Sequence, residues 1–114
     1  MEKLSLGEFE EVLLLTVAVL YDEAYGVAIK EDIETRLKRK VSVGAMRTAL
    51  KRLEKKGFLV SEFGEATSVR GGKRKRYFRV TPQGKKALDQ VMDARTKLWK
   101  AIPKVAFDFK TKDI

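Results

Sequence analysis

The 114-residue chain contains no cysteine and no histidine. It can therefore form neither disulfide bonds nor thiolate zinc sites, and it lacks the base of Ser-His and Cys-His catalysis. We expect a protein that is not an enzyme and that binds no metal and no cofactor. The longest apolar run, Val12–Tyr21, is broken only by Thr16 and is about half the ~20 residues that a membrane span needs. Because the first residues are also unlike a signal peptide, we expect a cytoplasmic protein with no membrane partner.

Basic residues outnumber acidic ones, with 25 Lys and Arg against 16 Asp and Glu and a net charge of +9. Residues 1–35 hold nine acids and two bases, a net charge of −7, so residues 36–114 carry +16. A generally soluble cationic surface would not require this division. Since a cationic surface attracts polyanions, the charge by itself fits either nucleic acid or an acidic membrane, and the middle and later parts of the chain would contact such a partner.

Apolar residues at helical spacing predict three helices in the first half of the chain. The first begins after Gly7 and is apolar nearly all round, which indicates burial on more than one face. The second begins at Tyr25-Gly26, and its apolar stripe consists of Val27, Ile29, Ile33 and Leu37. The third is capped by Ser42, runs to Lys56 and stops at Gly57. Its core face consists of Val43, Met46, Leu50 and Leu53, and its other side is small or basic.

Two strand-like segments, Leu59–Phe63 and Arg76–Val80, follow and flank a glycine-containing basic loop. Thr81 as N-cap and Pro82 at the first helical position then predict a last helix that runs to about Ala101 and ends near Pro103. We expect a mainly helical (α+β) fold, a winged helix-turn-helix with a long C-terminal dimerisation helix. Residues 1–81 would form the DNA-binding domain, 82–103 the dimerisation helix, and 104–114 a tail without an assigned role.

Two basic elements are candidates for binding duplex DNA, because the second helix of a helix-turn-helix enters the major groove. The predicted DNA-binding set is Ser42, Gly44, Arg47, Thr48, Lys51 and Arg52 on the third helix, with Lys73, Arg74, Lys75 and Arg76 on the wing. Arg and Lys donate to guanine or to phosphate. We expect no acidic group to neutralise the wing. The alternatives are a solvated helix face and a wing patch that aids solubility or resembles a nuclear-localisation signal.

The last helix, about 30 Å long, carries an apolar stripe that a small winged domain cannot cover, so we predict a homodimer. The predicted interface consists of Leu13, Val17, Leu88, Val91, Met92, Arg95, Leu98, Trp99 and Ile102. The alternative is a helix that folds back on its own domain. Arg95 would pair with Asp89 or Asp93 of a partner or extend to solvent. Trp99 is either ordinary interface packing or a stacking platform for a flat apolar or aromatic effector.

Four segments carry a resemblance to a known family over about residues 6–102. They are Leu6–Glu10, Tyr25–Ile29, Gly44–Met46 running into Leu50–Gly57, and Gly71–Gly84, of which the last is the most specific. The chain resembles the PadR-type transcriptional regulators, specifically the short members with a single C-terminal helix. The resemblance implies a homodimeric winged-helix repressor whose last helix joins the first in the dimer interface. It also implies that the third helix and the wing bind operator DNA, and that a small molecule often relieves repression. The chain departs from the family pattern at Arg47, where family members usually have a tyrosine that lies close to DNA.

These observations together predict a sequence-specific DNA-binding transcriptional regulator. We expect a repressor that binds a pseudo-palindromic operator as a homodimer and is relieved by a small-molecule effector. The alternative is a basic module that binds an acidic protein partner or RNA. Few exposed aromatic residues are available to stack unpaired bases, which disfavours RNA.

Overall fold

A computed structural model describes residues 6–64 and 74–110 of the chain. These ranges hold four α-helices and two strands: α1 Glu8–Leu20, α2 Gly26–Leu37, α3 Val43–Lys55, β1 Leu59–Phe63, β2 Arg76–Val80 and α4 Pro82–Ala101. Short 3₁₀ helices follow α1 at Tyr21–Glu23 and α4 at Lys104–Phe107. The predicted mainly helical winged helix-turn-helix is confirmed, and both strands begin and end at the predicted residues.

Both ends of α3 and the start of α4 are fixed by the capping residues that the sequence predicts. The Ser42 hydroxyl accepts a hydrogen bond of 3.2 Å from the Ala45 N–H at the start of α3. Gly57 follows α3 with a φ of +82°, a conformation that favours glycine. The Thr81 hydroxyl accepts from the Gly84 N–H at 3.0 Å and donates to the Gly57 carbonyl at 2.6 Å. Thr81 therefore joins the start of α4 to the end of α3.

The two strands pair antiparallel and form the base of the wing. Leu59 lies opposite Val80 and Phe63 lies opposite Arg76, so the ladder spans both strands completely. Leu59 and Phe78 point into the core, whereas Val60 and Arg79 are exposed. This alternation is typical of a sheet with one buried face. The tip of the wing, which includes the predicted DNA-binding residue Lys73, lies outside the described residues.

The core lies between α1, the helix-turn-helix and the buried face of the sheet. Its fully buried large side chains are Leu13, Leu14, Val17, Ile29, Ile33, Leu53 and Leu59. Leu13 and Val17, which the sequence assigned to the dimer interface, are 0% and 1% exposed and pack within their own chain. Their assignment to the interface was wrong, because α1 is buried on the side where these two residues lie.

Two predicted apolar stripes are narrower than the sequence indicates. On α2 only Ile29 and Ile33 are buried, whereas Val27 and Leu37 are exposed. On α3 Val43 is exposed too, because the helix enters the core only from Met46 onward. The prediction of Val43 as a core residue was therefore wrong, and the predicted stripe of α2 is buried at Ile29 and Ile33 but not at its two ends. Two valines are left on the surface near the N-terminal ends of α2 and α3.

Helix α4 is no longer buried against the domain beyond Val91, although Arg95 still reaches Glu11 on α1. Leu88 is buried against the core and Val91 is half-buried, but every later residue of the helix is exposed. The molecule measures 65 × 37 × 22 Å, and its radius of gyration of 18.2 Å exceeds the ~13 Å typical of a compact domain of this length. Within the described ranges, none of the helices has both the length and the apolar character that a membrane span requires.

The segment after α4 returns toward the end of that helix. The ring of Phe107 lies 6.4 Å from the ring of Trp99, and the Phe109 ring lies 6.1 Å from that of Phe107. All three rings are exposed, as is Val105. The apolar residues of the tail, to which the sequence assigned no role, therefore extend the exposed apolar surface at the end of α4.

Candidate nucleic-acid interface

The turn between α2 and α3 is held by the carboxylate of Glu34. Its Oε2 accepts a hydrogen bond of 2.8 Å from the Val41 N–H and lies 3.1 Å from the Lys30 ammonium. The backbone hydrogen bond from Val41, with that from Lys30, lowers the pKa of Glu34 below its ordinary value. Glu34 therefore fixes the start of α3 relative to α2 through an ionised side chain.

The inner side of α3 is joined to α1 by the buried carboxylate of Glu10. Its Oε1 accepts from the Lys56 ammonium at 2.8 Å and from the Gly7 N–H at 2.9 Å, and its Oε2 lies 3.8 Å from the Arg52 guanidinium. Burial raises the pKa of Glu10, but the Lys56 and Gly7 hydrogen bonds and the charges of Lys56 and Arg52 outweigh it, so the pKa is lowered. Arg52 thus extends toward α1.

The outer side of α3 carries the exposed side chains of Arg47, Thr48 and Lys51. Within the described part of the chain, neither Arg47 nor Lys51 has a hydrogen-bond or ion-pair partner. Their charges are therefore available to an external anion. Ser42 and Gly44 are exposed as well, at the N-terminal end of the helix.

The cations at the base of the wing are held in place by their neighbours. The Lys75 ammonium lies 4.1 Å from the centre of the Tyr25 ring, and the Arg74 guanidinium donates to the Gly64 carbonyl at 2.9 Å. Arg76 donates to the Ser61 hydroxyl at 2.8 Å and lies 3.5 Å from the Glu54 carboxylate. The expectation that no acid neutralises the wing was wrong for Arg76, because Glu54 on α3 reaches it.

A cavity of about 690 Å³ separates α3 from the base of the wing, and we call it the α3–wing groove. The predicted DNA-binding residues that line it are Arg47, Thr48, Lys51, Arg74, Lys75 and Arg76. Ser42, Gly44 and Arg52 do not line it. The two basic elements therefore face one concave surface, and a rod-shaped polyanion can contact both of them at once.

Several residues line the α3–wing groove that the sequence did not assign to a site. They include Tyr25, Val27 and Lys30 near the start of α2, and Val43 and Glu54 on α3. Tyr25 makes a β-bridge with Tyr77 of the wing, which brings the start of α2 beside β2. No local pattern identifies this contact, because it joins residues 52 positions apart. In the sequence, this region stood out because Tyr25–Ile29 is one of the four segments in which the chain resembles the PadR-type regulators.

The model of the transcriptional regulator PadR-like family matches residues 14–90, more than half of the chain. The chain belongs to this family. Solved structures similar to this PadR-like chain include a transcriptional regulator from Clostridium thermocellum, which is 26% identical with a TM-score of 0.66 over 89% of this chain and 91% of that one. A PadR family transcription regulator from Clostridium difficile is 27% identical with a TM-score of 0.62, and 81% of this chain and 92% of that one are covered. No curated protein matches the chain.

The PadR-like chain is a transcriptional regulator, and its winged-helix fold recurs in family members of lower identity. A PadR-like transcriptional regulator from Bacillus cereus is 17% identical, yet it has a TM-score of 0.69 over 89% of this chain and 93% of that one. The family is one of transcriptional regulators and not of enzymes. The fold in which α3 and the wing form a groove is therefore similar to that of a protein with little sequence identity to this chain.

Helix α4 of the PadR-like regulator carries most of the residues predicted to form a dimer interface. Met92, Leu98 and Trp99 are exposed, at 44%, 71% and 71%, Val91 and Ile102 are half-buried, and Leu88 belongs to the core. Arg95 lies 3.1 Å from the Glu11 carboxylate of its own α1, and Asp89 of the same chain pairs with Lys85. On α1, Leu15 and Val19 are exposed, although the sequence did not single them out.

Proposed function

We propose that this regulator binds a pseudo-palindromic DNA operator as a homodimer and represses transcription. The single observation that carries the proposal is the α3–wing groove, in which Arg47 and Lys51 of α3 face Arg74 and Lys75 of the wing. In a helix-turn-helix, α3 would lie in the major groove while the wing contacts the adjacent backbone or minor groove. The predicted alternatives of an acidic protein and RNA serve as competitors in the test below.

Only part of the predicted DNA-binding set fits this geometry. Arg47, Thr48 and Lys51 would approach base edges, since they are exposed and the two cations have no partner in the described ranges. Arg74, Lys75 and Arg76 would contact phosphates from the other wall of the groove. Arg52 is held toward α1 by Glu10 and would contribute only to the general positive field. Ser42 would act through its capping of α3 and not by contact with a base.

Exposed apolar surface on α1 and α4 supports the homodimer. Leu15 and Val19 on α1, with Met92, Leu98 and Trp99 on α4, are large apolar side chains that stay exposed to solvent in the single chain. Helix α4 extends away from its own domain, so a second copy would cover this surface by two-fold symmetry. The dimer would hold its two α3 helices about 34 Å apart, one turn of DNA, and would select an inverted repeat.

A small flat effector is part of the proposal, with Trp99 as its contact. Trp99 is the single tryptophan, the residue is 71% exposed, and its ring lies beside that of Phe107. An aromatic ligand would stack on it between the subunits. Planar aromatic compounds would quench its fluorescence and lower the affinity for DNA, whereas an effector site elsewhere would leave the fluorescence of Trp99 unchanged.

Selection of tight binders from a pool of random duplexes tests the function. We expect an inverted repeat with half-site centres one turn apart, and we expect reporter transcription to fall when that repeat lies at a promoter. Excess random duplex would compete weakly, and excess RNA or polyglutamate would compete less still. A pool without enriched sequence, or equal competition by polyglutamate, would contradict DNA recognition, whereas an enriched single half-site would contradict only the dimer.

A further inference from the structure

Two apolar side chains are exposed inside the cationic α3–wing groove. Val27, the second residue of α2, is 62% exposed, and Val43, the first residue of α3, is 45% exposed. Both line the groove together with Arg47 and Lys51. Single exposed valines are common on protein surfaces. Here they occupy the surface that the proposed function assigns to DNA, so they would contact the duplex.

The position of Val43 is fixed on both sides. Ser42 immediately before it caps α3 through the Ala45 N–H, and Val41 is held to Glu34 by a hydrogen bond of 2.8 Å. A β-branched side chain in a helix also has one strongly preferred rotamer. Val43 therefore presents two methyl groups in a defined direction at the N-terminal end of α3.

The chemistry of valine limits what it can recognise on DNA. It can neither donate nor accept a hydrogen bond, so it distinguishes base pairs through apolar contact alone. The C5-methyl of thymine is the apolar group that base edges present in the major groove. In a helix-turn-helix the N-terminal residues of the second helix contact base edges, whereas the first helix crosses the backbone. Val43 and Val27 consequently face different parts of the duplex.

We propose that Val43 recognises the C5-methyl of a thymine in each operator half-site. This inference rests on the proposed function and deepens it, because it assigns a base preference to one side chain of α3. Val27 contacts the sugar-phosphate backbone, so its apolar surface contributes to affinity without a preference for any base. The two valines therefore differ in role, although they have the same side chain, line the same groove and are both exposed.

The test removes the methyl group from the DNA and from the protein in turn. The selected operator is resynthesised with deoxyuridine in place of one thymidine at a time, symmetrically in both half-sites. For the native protein, one position is expected to weaken binding about four-fold per half-site, as expected for the burial of one methyl-sized group. Val43→Ala weakens binding to the thymidine operator by a similar factor and is insensitive to deoxyuridine at that position.

Val27→Ala is the matched control, since it makes the same truncation in the same groove. It should weaken binding to all duplexes alike and should remain sensitive to deoxyuridine at the position that Val43 recognises. Circular dichroism melting of both variants establishes that they fold, which is expected because both valines are exposed. The loss of affinity caused by deoxyuridine is compared between the native protein and those variants that the melting curves show to be folded.

The possible outcomes distinguish a failure of the Val43 assignment from a failure of the proposed function. If an operator is selected but no thymine shows coupling to Val43, or if Val27→Ala abolishes the coupling equally, the assignment of Val43 is overturned while DNA recognition stands. A selected half-site without thymine in the major-groove contact region overturns it as well. If the pool yields no enriched sequence, the proposed function fails and the assignment fails with it.

Discussion

The Lys56 ammonium lies 2.8 Å from the buried carboxylate of Glu10, which joins the C-terminal end of α3 to the start of α1. Glu10 also accepts a hydrogen bond from the N–H of Gly7, the N-cap residue of α1. One carboxylate thus satisfies a helix N-terminus and restrains the helix that faces the α3–wing groove. In the sequence, Glu10 belongs to the acidic residues 1–35 and Lys56 to the basic residues 36–114. The fold brings these two oppositely charged parts of the chain together at this ion pair.

Replacement of Glu10 by glutamine is expected to destabilise the fold in a pH-dependent way. The pKa of Glu10 is lowered from its ordinary value of 4.5, so the ionised form contributes stability above about that pH. That contribution is lost as the pH falls through the lower pKa of the folded state. Glu10→Gln should lose about 1.5–3 kcal/mol at pH 7, as is typical of a hydrogen bond to a charged group. Urea unfolding between pH 3 and pH 7 measures the difference.

The exposed acid Glu62 provides the control for this measurement, because it forms no ion pair within the described ranges. Glu62→Gln should leave the free energy of unfolding almost unchanged at every pH. The difference between Glu10→Gln and the native protein should shrink toward pH 3. A constant difference across the range would show that the effect comes from packing and not from the charge.

Replacement of Lys51 by alanine tests the outer side of α3. Lys51 lines the groove and has no partner in the described ranges. If it donates to a base, the loss should be about 1–3 kcal/mol for the operator and little for random duplex. If it contacts a phosphate, all duplexes should weaken together and the slope of log K against log salt should fall by about one. Titrations at two salt concentrations distinguish the two cases.

The control for Lys51→Ala is Lys86→Ala, which removes the same charge from an exposed position on α4. Lys86 does not line the groove, so its loss should change operator affinity by less than the loss of Lys51. Equal effects of the two variants would mean that only net charge matters and would remove α3 from the interface.

Replacement of Glu54 by glutamine is expected to strengthen binding to any duplex. Glu54 is an acid in a cationic groove, 3.5 Å from Arg76 and hydrogen-bonded by the Ser61 hydroxyl at 2.6 Å. Its removal frees the Arg76 guanidinium for phosphate, and a partly exposed pair of this kind is worth about 0.2–1 kcal/mol. Random and operator duplexes should both bind up to about five-fold tighter. Weaker binding would mean that Glu54 is needed to position Arg76.

The elements could be predicted from the sequence because their signals are local. Ser42, Gly57 and Thr81-Pro82 mark helix ends by their own backbone chemistry, and the structure confirms each of them. The site could be predicted only in part, because exposure depends on contacts between distant residues. Val43 has helical spacing from Met46 yet lies outside the core, and Arg52 is held by an acid 42 positions earlier. Periodicity gives the face of a helix, not how far along the helix the core extends.

Replacement of Leu98 by glutamine tests the proposed assembly. Leu98 is 71% exposed on the part of α4 that extends from the domain. If a second copy covers it, the polar side chain should weaken the dimer by about 1.5–3 kcal/mol, the cost of leaving a leucine side chain unburied. Sedimentation equilibrium measures the dissociation constant. Lys97→Gln, on the side of α4 that faces away from the apolar stripe, should leave the dissociation constant nearly unchanged. A native protein that sediments as a monomer would contradict the interface.

Two glycine substitutions should affect stability in opposite directions. A Cβ on Gly84 would collide with the carbonyl of Phe58, so the first turn of α4 lies directly against the backbone before β1. Gly84→Ala should destabilise the fold by about 1–3 kcal/mol, since backbone must move. A Cβ added at Gly44 on α3 would meet the Ser42 hydroxyl at 3.9 Å and nothing closer in the described ranges, so Gly44→Ala should stabilise the helix by up to about 1 kcal/mol. Thermal unfolding measures both, and Gly84→Ala with native stability would contradict the close contact between α4 and Phe58.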